Sequence, residues 1–420
     1  MIAMLKQIFS PKNHDIRTRI LFTIGALAIF QLGTSVSVPG TEKIIQDLGF
    51  LELINAMGGG ALKKFSIFAL GVMPYISASI IMQLLQMDIV PYFTELRKQG
   101  YTGRQKINKI TRYLGIGIAF LQGYVFSFTF ISKGLTMGGP IEYMRIAVIL
   151  TAGTAFLLWL GDQITLKGIG NGVSLIIMAG ILSTTPMMFI DAYNEMIGLS
   201  GVDLIGVITF SLFVLVYLAI VIGIIFIQQS ERRVPIQYSN RTITAYGGKQ
   251  SFMPLKLNSA GVIPVIFASM AIAIPATIAQ VVKNEKVLLF IEKYLSYDSL
   301  IGFSVYLLLI IFFAYFYTFM QLRPEELSSN LHKNGGYIPG IRPGEETTKY
   351  IYQVLSRLTL VGAFFLVIIA GLPIIFTKIS SLSSNITIGG TGLLIVVGVL
   401  LETYNQLESQ LLTRNYRIRS

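Results

Sequence analysis

Hydrophobic residues occur along the chain in long blocks that alternate with shorter polar stretches. Each block spans about 20 residues, the length that an α-helix needs to cross a hydrocarbon core of roughly 30 Å. The pattern predicts an all-α polytopic membrane protein with ten transmembrane helices. The predicted spans cover residues 20–38, 67–87, 112–131, 143–160, 171–190, 204–227, 258–281, 300–322, 354–376 and 389–408.

The first block has a signal peptide as its alternative interpretation, because several basic residues precede it. No small-residue cleavage site follows, and the block runs directly into Val-Pro-Gly at residues 38–40. We therefore interpret the block as a retained first span.

A shorter apolar segment, residues 50–57, lies between the first two spans and is followed by three glycines at 58–60. It is too short to cross a membrane. A re-entrant segment that is buried in protein and a helix on the membrane surface both remain open.

An internal repeat divides the chain into two halves. Residues 71–79 read GVMPYISAS and residues 261–269 read GVIPVIFAS, so six of nine positions match. The two segments lie in the second span of each set of five, and an odd number of spans inverts the second set in the membrane. The repeat predicts an N-terminal half at 1–190 and a C-terminal half at 191–420, with a path between them.

Each repeat carries a proline inside its predicted span, which removes a backbone hydrogen bond and kinks a helix. We therefore expect two kinked helices to wall the path. Ile76 and Ile266 occupy the same place in the two repeats; they either face lipid and neighbouring helices or form an aliphatic constriction that excludes water and ions. A weaker echo joins Gly-Asn-Gly at 170–172 to Gly-Thr-Gly at 390–392.

The distribution of charge predicts the orientation. With the N terminus inside, about three quarters of the 33 Lys and Arg residues fall on the inner side, whereas acidic residues divide almost evenly. Both termini are therefore expected in the cytoplasm. Three basic connections on that side are long, at 88–111, 228–257 and 323–353. They either only anchor the topology or dock an anionic partner such as ribosomal RNA or an acidic protein face.

Composition narrows the chemistry that the chain can perform. Hydrophobic residues make up 53% and charged residues 13%, with a mean hydropathy of +0.67, so there is too little charge to coat a soluble surface. The absence of cysteine excludes disulfides and thiolate metal sites. The glycines at 168–172 lack the preceding strand of a nucleotide-binding loop and indicate a closely packed helix start. The sequence predicts no catalytic residue, no metal and no cofactor, and therefore no enzyme.

Two rival functions remain open at this point. A solute transporter with a five-plus-five inverted repeat fits the span count equally well, although the span centres carry almost none of the ionisable residues that ion-coupled transporters place at mid-membrane. An intramembrane hydrolase is the other rival, and no nucleophile with a base partner is identifiable for it.

Five stretches of the chain resemble the SecY family of protein-translocation channels. The resemblance runs from about residue 15 to the end. The matching segments are residues 65–81 (FSIFALGVMPYISASII) for the second span, 168–174 (GIGNGVS) for the fifth, 254–264 (PLKLNSAGVIP) for the seventh, 339–345 (PGIRPGE) with 357–362 (RLTLVG) for the last large loop and the ninth span, and 389–397 (GGTGLLIVV) for the tenth.

The resemblance implies two halves that close like a clamshell around an hourglass pore for unfolded polypeptides. It also implies an aliphatic ring at the waist of the pore and a short plug helix at about 50–60 that seals it. The ring positions fall on Val72, Ile76, Ile177, Ile266 and Ile395. The plug positions fall on Phe50, Leu51, Leu53, Ile54, Met57, Gly58, Gly59 and Gly60.

The resemblance further implies a lateral gate between spans two and three and spans seven and eight, with Gln83 and Asn258 as its polar members. The connections at 228–257 and 323–353 would dock the SecA motor ATPase or the ribosome. The implied docking residues are Arg232, Arg233, Arg241, Arg342 and Arg357. Other implied partners are SecE-like and SecG-like small membrane subunits, signal sequences, unfolded preproteins and the lipids of a bacterial plasma membrane.

Overall fold

Helices make up most of the described chain, and three short strands lie among them. The computed structural model describes residues 14–39, 41, 52–86, 90–132, 139–198, 204–238, 251–282, 294, 299–380 and 384–419. The helices are α1 (His14–Gly33), α2 (Glu52–Met57), α3 (Met73–Leu85), α4 (Pro91–Lys98), α5 (Tyr101–Ser132), α6 (Pro140–Lys167), α7 (Gly172–Tyr193), α8 (Leu204–Gln229), α9 (Ile263–Val282), α10 (Leu300–Gln321), α11 (Pro324–Lys333), α12 (Glu345–Ser380) and α13 (Ser384–Arg419). The strands are β1 (Glu231–Tyr238), β2 (Ser251–Lys256) and β3 (Gly336–Tyr337), and a π-helical turn, Asn194–Gly198, follows α7.

Six of the described helices are long and apolar enough to cross a membrane, namely α1, α6, α7, α8, α10 and α12. The chain is therefore a multi-pass membrane protein. Helices α3 and α9 are apolar but shorter than the spans predicted for them. The predicted third and tenth spans coincide with α5 and α13, which are 32 and 36 residues long and extend into polar sequence.

The two repeats adopt matching backbone conformations. Gly71 (φ 55°) and Gly261 (φ 63°) both lie in the left-handed region that favours glycine, and α3 and α9 begin two residues after them. The prediction that Pro74 and Pro264 kink these helices was wrong. Each proline is the second residue of its helix, where its missing N–H would have no partner within the helix. The repeat therefore marks where two helices begin.

The weaker echo between 170–172 and 390–392 has no structural counterpart. Gly170 (φ 81°) lies in a turn, and α7 begins at Gly172. Residues 390–392 instead lie inside α13, which begins several residues earlier. The shared glycines therefore serve different backbone conformations.

The glycine-rich segment 168–172 forms the closely packed start of α7, as predicted. Asn171 Oδ1 accepts a hydrogen bond from the amide of Val173 (3.1 Å) and caps the helix. The amide of Ile169 donates to the hydroxyl of Thr23 in α1 (3.1 Å). The first bond caps α7, and the second anchors the segment before it to α1.

The three polar connections contain regular structure, and a short sheet among them is an exception to the predicted all-α fold. Helix α4 and the start of α5 occupy most of 88–111. In 228–257, β1 pairs antiparallel with β2, and Arg233 lies opposite Pro254. Strand β3, in 323–353, joins the other edge of β1, which gives the strand order β2-β1-β3.

The sheet packs against the start of α12 through a small apolar cluster. Val234 of β1 and Leu255 of β2 are buried in this cluster with Ile338, Ile351 and Leu355. Val234 and Ile236 of β1 are buried whereas its arginines are exposed, the period-two alternation of a strand with one buried face. The sheet is therefore held on α12 with its polar face outward.

Two large apolar clusters fill the interior of the helix bundle. The first, which we call the central cluster, collects side chains from α1, α2, α3, α6, α7, α9 and α13 and from the turns before α3. The second collects side chains from α8, α9, α10, α12 and α13. Because α9 and α13 contribute to both clusters, they connect the early and late parts of the chain.

An ion pair between α5 and α6 gives a first testable prediction. Arg112 Nη2 lies 2.6 Å from Asp162 Oδ2. Asp162→Asn keeps the shape of the side chain but removes its charge. We expect the free energy of unfolding in detergent to fall by up to about 1 kcal/mol, because both side chains are partly exposed and ion pairs of this kind contribute about 0.2–1 kcal/mol.

The matched control is Asp15→Asn, which disrupts the Asp15–Arg19 pair within α1 (3.8 Å). Pairs four residues apart on one helix contribute about 0.3–0.5 kcal/mol, so this variant should unfold almost as the unmodified chain does. Equal decreases in the free energy of unfolding in both variants would show that the pair between α5 and α6 stabilises the fold no more than the pair within α1 does.

Candidate functional site

Five aliphatic side chains, which we call the central ring, meet in the central cluster. They are Val72, Ile76, Ile177, Ile266 and Ile395. Four of them are buried, with exposed fractions between 3% and 8%, and Ile76 packs against the cluster while partly buried. The residues come from α3 and the residue before it, α7, α9 and α13. The fold therefore brings together positions that are more than 300 residues apart in sequence.

The first turns of α3 and α9 position the ring residues of the two repeats in the same way. The amide of Ile76 donates to the carbonyl of Val72 (3.2 Å). The amide of Ile266 donates to the carbonyl of Val262 (3.4 Å). Val262 also packs against the central cluster, and the sequence prediction missed it. The repeat carried the signal, because Val262 is the repeat equivalent of Val72.

Close packing of α7 against α13 positions the other two ring residues. A Cβ added to Gly392 of α13 would lie 2.8 Å from Ile181 Cγ2 of α7. Ile177 lies one turn before Ile181, and Ile395 lies about one turn after Gly392, so each is on the same helix face as the contact. The glycine thus lets the two helices approach where the ring forms.

The predicted plug lies partly outside the described residues, which do not include Phe50 and Leu51. Leu53 and Ile54 belong to α2, and Met57 ends it. Met57 is 3% exposed and belongs to the central cluster. Helix α2 packs against α7 and α13. A short helix therefore lies directly against the cluster that contains the ring.

Three glycines, Gly58, Gly59 and Gly60, turn the chain after α2. Gly59 (φ 71°) and Gly60 (φ 78°) lie in the left-handed region, where a side chain is strained. Asn55 stabilises the turn, because its carbonyl accepts from the Gly60 amide (2.8 Å) and its Oδ1 accepts from the Lys63 amide (2.9 Å). The segment thus has a defined conformation at its C-terminal end.

Gly180 of α7 forms the surface on which the end of α2 rests. A Cβ at this position would collide with the carbonyl oxygen of Met57 and would lie 2.9 Å from the amide nitrogen of Gly59. Only glycine therefore allows this approach. The sequence analysis missed Gly180, because a glycine within a helical pattern does not reveal what its bare surface contacts.

The two predicted gate residues form hydrogen bonds within their own segments. Gln83 Nε2 donates to Ser79 Oγ in α3 (3.4 Å), and among the described residues its buried Oε1 has no hydrogen-bond partner. Asn258 is 9% exposed, and its Nδ2 donates to the carbonyl of Gly261 (3.0 Å) in the turn before α9. Helix α9 contacts α5. Helices from the two sides of the predicted gate therefore meet.

The predicted docking arginines that the structure describes are exposed. Arg232 and Arg233 are consecutive residues of β1, Arg342 precedes α12, and Arg357 lies on α12. Arg241 lies outside the described residues. The described arginines belong to the sheet, the turn and the helix that pack together around the start of α12.

Hydrogen bonds fix the turn that carries Arg342. Thr347 Oγ1 donates to the carbonyl of Arg342 (2.8 Å), and Ser328 Oγ of α11 donates to the carbonyl of Gly344 (3.1 Å). Gly344 has a φ of 103°, which glycine adopts without strain. The turn between α11 and α12 is therefore ordered, with Arg342 on its surface.

The central ring offers apolar contact and nothing else, since none of its side chains carries a charge or a hydrogen-bonding group. The five side chains therefore contribute only apolar surface to the central cluster. In the part of the chain that the structure describes, no three His, Asp or Glu side chains group together in a way that could hold a metal ion.

Comparison with known proteins gives one family. The model of the SecY family matches residues 66–404 of the chain. The chain is similar to the protein translocase subunit SecY of Staphylococcus carnosus, with 47% identity over 417 residues that cover 97% of each chain.

Solved channel structures are similar to the chain in fold. One is described as the structure of a protein-conducting channel; its TM-score is 0.66 at 18% identity, over 94% of this chain and 92% of that chain. Another is Sec61 in a canine ribosome–channel complex from the endoplasmic reticulum, with a TM-score of 0.62 at 18% identity and the same coverage. At this identity the likeness concerns the fold alone.

Proposed function

The chain belongs to the SecY family, and on that premise we propose that it is the central channel subunit of a Sec translocon. It conducts unfolded polypeptides across the membrane and releases membrane segments into lipid through a lateral gate. SecA or a translating ribosome supplies the driving force, and the chain supplies a passive path. The Staphylococcus carnosus relative is named as a protein translocase subunit, which supports a role in moving polypeptides.

The central ring is the observation that carries the proposal. Val72 and Ile76 of one repeat and Ile266 of the other share one cluster with Ile177 and Ile395. Because equivalent positions of both repeats contribute, the ring lies where the two halves meet. An aliphatic waist hinders ions by dewetting, and it has no charge or hydrogen bond with which to select among passing side chains.

The proposed architecture is ten spans in two inverted halves, 1–190 and 191–420. The six long apolar helices together with α3, α5, α9 and α13 supply the ten. The matching helix starts at 71–79 and 261–269 support the repeat, and five spans in each half would invert the second half. The positive charge of the polar connections favours a cytoplasmic location for them and for both termini. The bacterial relative supports a plasma-membrane location.

We assign the plug to residues 50–60 and the lateral gate to the front between α3 with α5 and α9 with α10. Helix α2 packs against α7 and α13, where it would obstruct a path through the ring. Contact between α9 and α5 corresponds to a closed gate. Gln83 and Asn258 are its proposed polar members, and the buried Oε1 of Gln83 favours an arrangement that supplies a donor.

The proposed docking surface for SecA or the ribosome is the sheet, turn and helix around the start of α12. It presents Arg232, Arg233, Arg342 and Arg357, and Arg241 falls in the same connection as β1 and β2. The Sec61 neighbour belongs to a ribosome–channel complex, which supports the ribosome as one partner. SecE-like and SecG-like membrane subunits complete the proposed assembly.

Protease protection of a preprotein tests the proposed function. The chain is reconstituted with SecE-like and SecG-like subunits in proteoliposomes, and SecA and ATP are added outside. We expect a signal-bearing preprotein to become protected, and Arg342→Glu to lower the protected fraction about fivefold, because it replaces an attraction to an anionic partner with repulsion.

The matched control is Arg17→Glu, which makes the same charge change at an exposed position of α1 outside the three connections. It should protect nearly as much preprotein as the unmodified chain. Vesicles that take up a small solute without a motor but protect no preprotein would contradict the proposal and favour the transporter.

A further inference from the structure

An ion pair joins the polar connection after α3 to the polar connection after α10. Arg97 Nη2 of α4 lies 3.1 Å from Glu326 Oε1 of α11 and donates a hydrogen bond to it. The two residues are 229 positions apart and belong to different predicted halves. The ion pair therefore links the two predicted halves on the side of the molecule that carries the basic connections.

Arg97 is attached firmly to the N-terminal half. Its neighbour Leu96 is 3% exposed and packs with Met82 of α3 and Ile107 of α5. Gly103 of α5 lies so close to the Leu96 carbonyl oxygen that a Cβ there would collide with it. Helix α4 is thus packed firmly against α3, which carries Ile76. A force on Arg97 is therefore transmitted through α4 to α3.

Glu326 is attached in the same manner to the C-terminal half. Leu327 and Leu331 of α11 pack into the cluster that holds the start of α12. The hydroxyl of Ser328 in α11 donates to the carbonyl of Gly344 (3.1 Å), just before α12. A force on Glu326 therefore acts on α12 and on the helices packed against it.

A second arginine lies beside the same carboxylate oxygen. Arg323 Nη1 is 3.7 Å from Glu326 Oε1, and both residues are at the start of the same connection. If Arg97 leaves, Glu326 keeps a positive partner within its own half. Because Glu326 keeps this cation, breaking its pair with Arg97 costs less free energy than it would for an isolated pair.

We propose that the Arg97–Glu326 pair is a latch that holds the two halves closed and that breaks when they separate, while Arg323 stays beside Glu326. This inference rests on the proposed function, in which opening requires the halves to move apart. Glu326 is largely exposed, so the pair is weak, and losing it shifts the closed-to-open ratio by a few-fold and by no more than about fivefold. An ion pair of that strength favours the closed state at rest but still allows the halves to separate.

Distances between spin labels on the two halves test the latch. The chain has no cysteine, so Gln105→Cys on α5 and Ser329→Cys on α11, both at exposed positions, can be labelled alone and measured by double electron–electron resonance. At low salt we expect Arg97→Gln and Glu326→Gln each to raise the population of long distances two- to fivefold. The double variant R97Q/E326Q should raise that population no further than either single variant does.

The controls remove the same charges from the same region without touching the pair. They are Arg104→Gln on α5 and Glu325→Gln on α11, both exposed. At 1 M salt, where the Debye length is about 3 Å, the unmodified chain should approach the behaviour of Arg97→Gln. Unchanged distances in Arg97→Gln, or equal shifts in the controls, would overturn the latch.

The distance measurement needs neither a motor nor a preprotein. Failure of the latch can therefore be distinguished from failure of the proposed function. If proteoliposomes protect no preprotein but the label distance is longer in Arg97→Gln, the latch is supported and the proposed function is overturned. A chain that protects preprotein but keeps the same distance in Arg97→Gln overturns the latch alone.

Discussion

Replacing Ile76, Ile266 and Ile395 together with Asn raises the resting ion conductance in planar bilayers by about tenfold or more. All three side chains contribute to the central cluster, which contains the whole central ring. Burial of an isoleucine side chain is worth about 1.5–3 kcal/mol, and a tenfold change corresponds to about 1.4 kcal/mol. Three Asn amides at the waist attract water and should lower the free-energy barrier to hydration by more than this value of about 1.4 kcal/mol.

The matched control replaces the same three isoleucines with valine. It keeps every side chain aliphatic and removes only one methylene at each position, so the waist stays dry and the resting conductance stays near that of the unmodified chain. Unchanged leakage in the Asn variant would exclude these residues from the constriction.

Gly180→Ala produces the second large effect, a persistent leak through a plug that cannot seat. The added methyl group collides with the carbonyl oxygen of Met57 at the end of α2. Overpacking of a tight contact costs about 1–3 kcal/mol, which shifts the seated-to-displaced ratio of the plug by roughly 5- to 150-fold. Bilayer recordings without any signal sequence should show open events at correspondingly higher frequency.

Gly117→Ala provides the control for this prediction. Gly117 also lies within a long helix, α5, but a Cβ there has no heavy atom within 4 Å. Alanine at this position should leave the conductance unchanged and improve the helix slightly, since alanine has the higher helix propensity. A leak of equal size in both variants would mean that Gly180 does not act through α2.

Much of the candidate site could be predicted from sequence because the internal repeat marks equivalent positions. The shared Gly-Val-x-Pro pattern selects Ile76 and Ile266, and the structure places both in the first turn of a helix and in one cluster. The same shift selects Val262, which the prediction omitted. The roles of Ile177 and Ile395 followed from the family resemblance, because nothing local distinguishes one aliphatic residue of an apolar helix from another.

The conformation of the repeat itself was mispredicted for a physical reason. A proline within an apolar block is compatible with a kink inside a helix and with the second position of a new helix. The apolar residues on either side of Pro74 and Pro264 do not distinguish these cases. The left-handed backbone at Gly71 and Gly261 does, because it ends the preceding segment before the helix begins.

The polar connections were harder to predict than the spans. Their charged residues indicate exposure but carry no periodicity long enough to reveal short helices or two-residue strands. Strand β1 is defined by its pairing with β2 and β3 and by the burial of Val234 on the α12 side. Those partners lie tens to about a hundred residues away, so local sequence contains little of the information.

The amino-acid sequence was sufficient to identify this chain as a membrane protein, because the length of its apolar blocks matches the thickness of a bilayer. It also showed that residues 71–79 and 261–269 are equivalent, because six of their nine residues are identical. The three-dimensional structure was needed to show that Gly180 supports the end of α2, how the polar connections fold, and that Arg97 reaches Glu326. Each of these contacts joins segments that are far apart in sequence, and the packing of the whole helix bundle determines which segments come together.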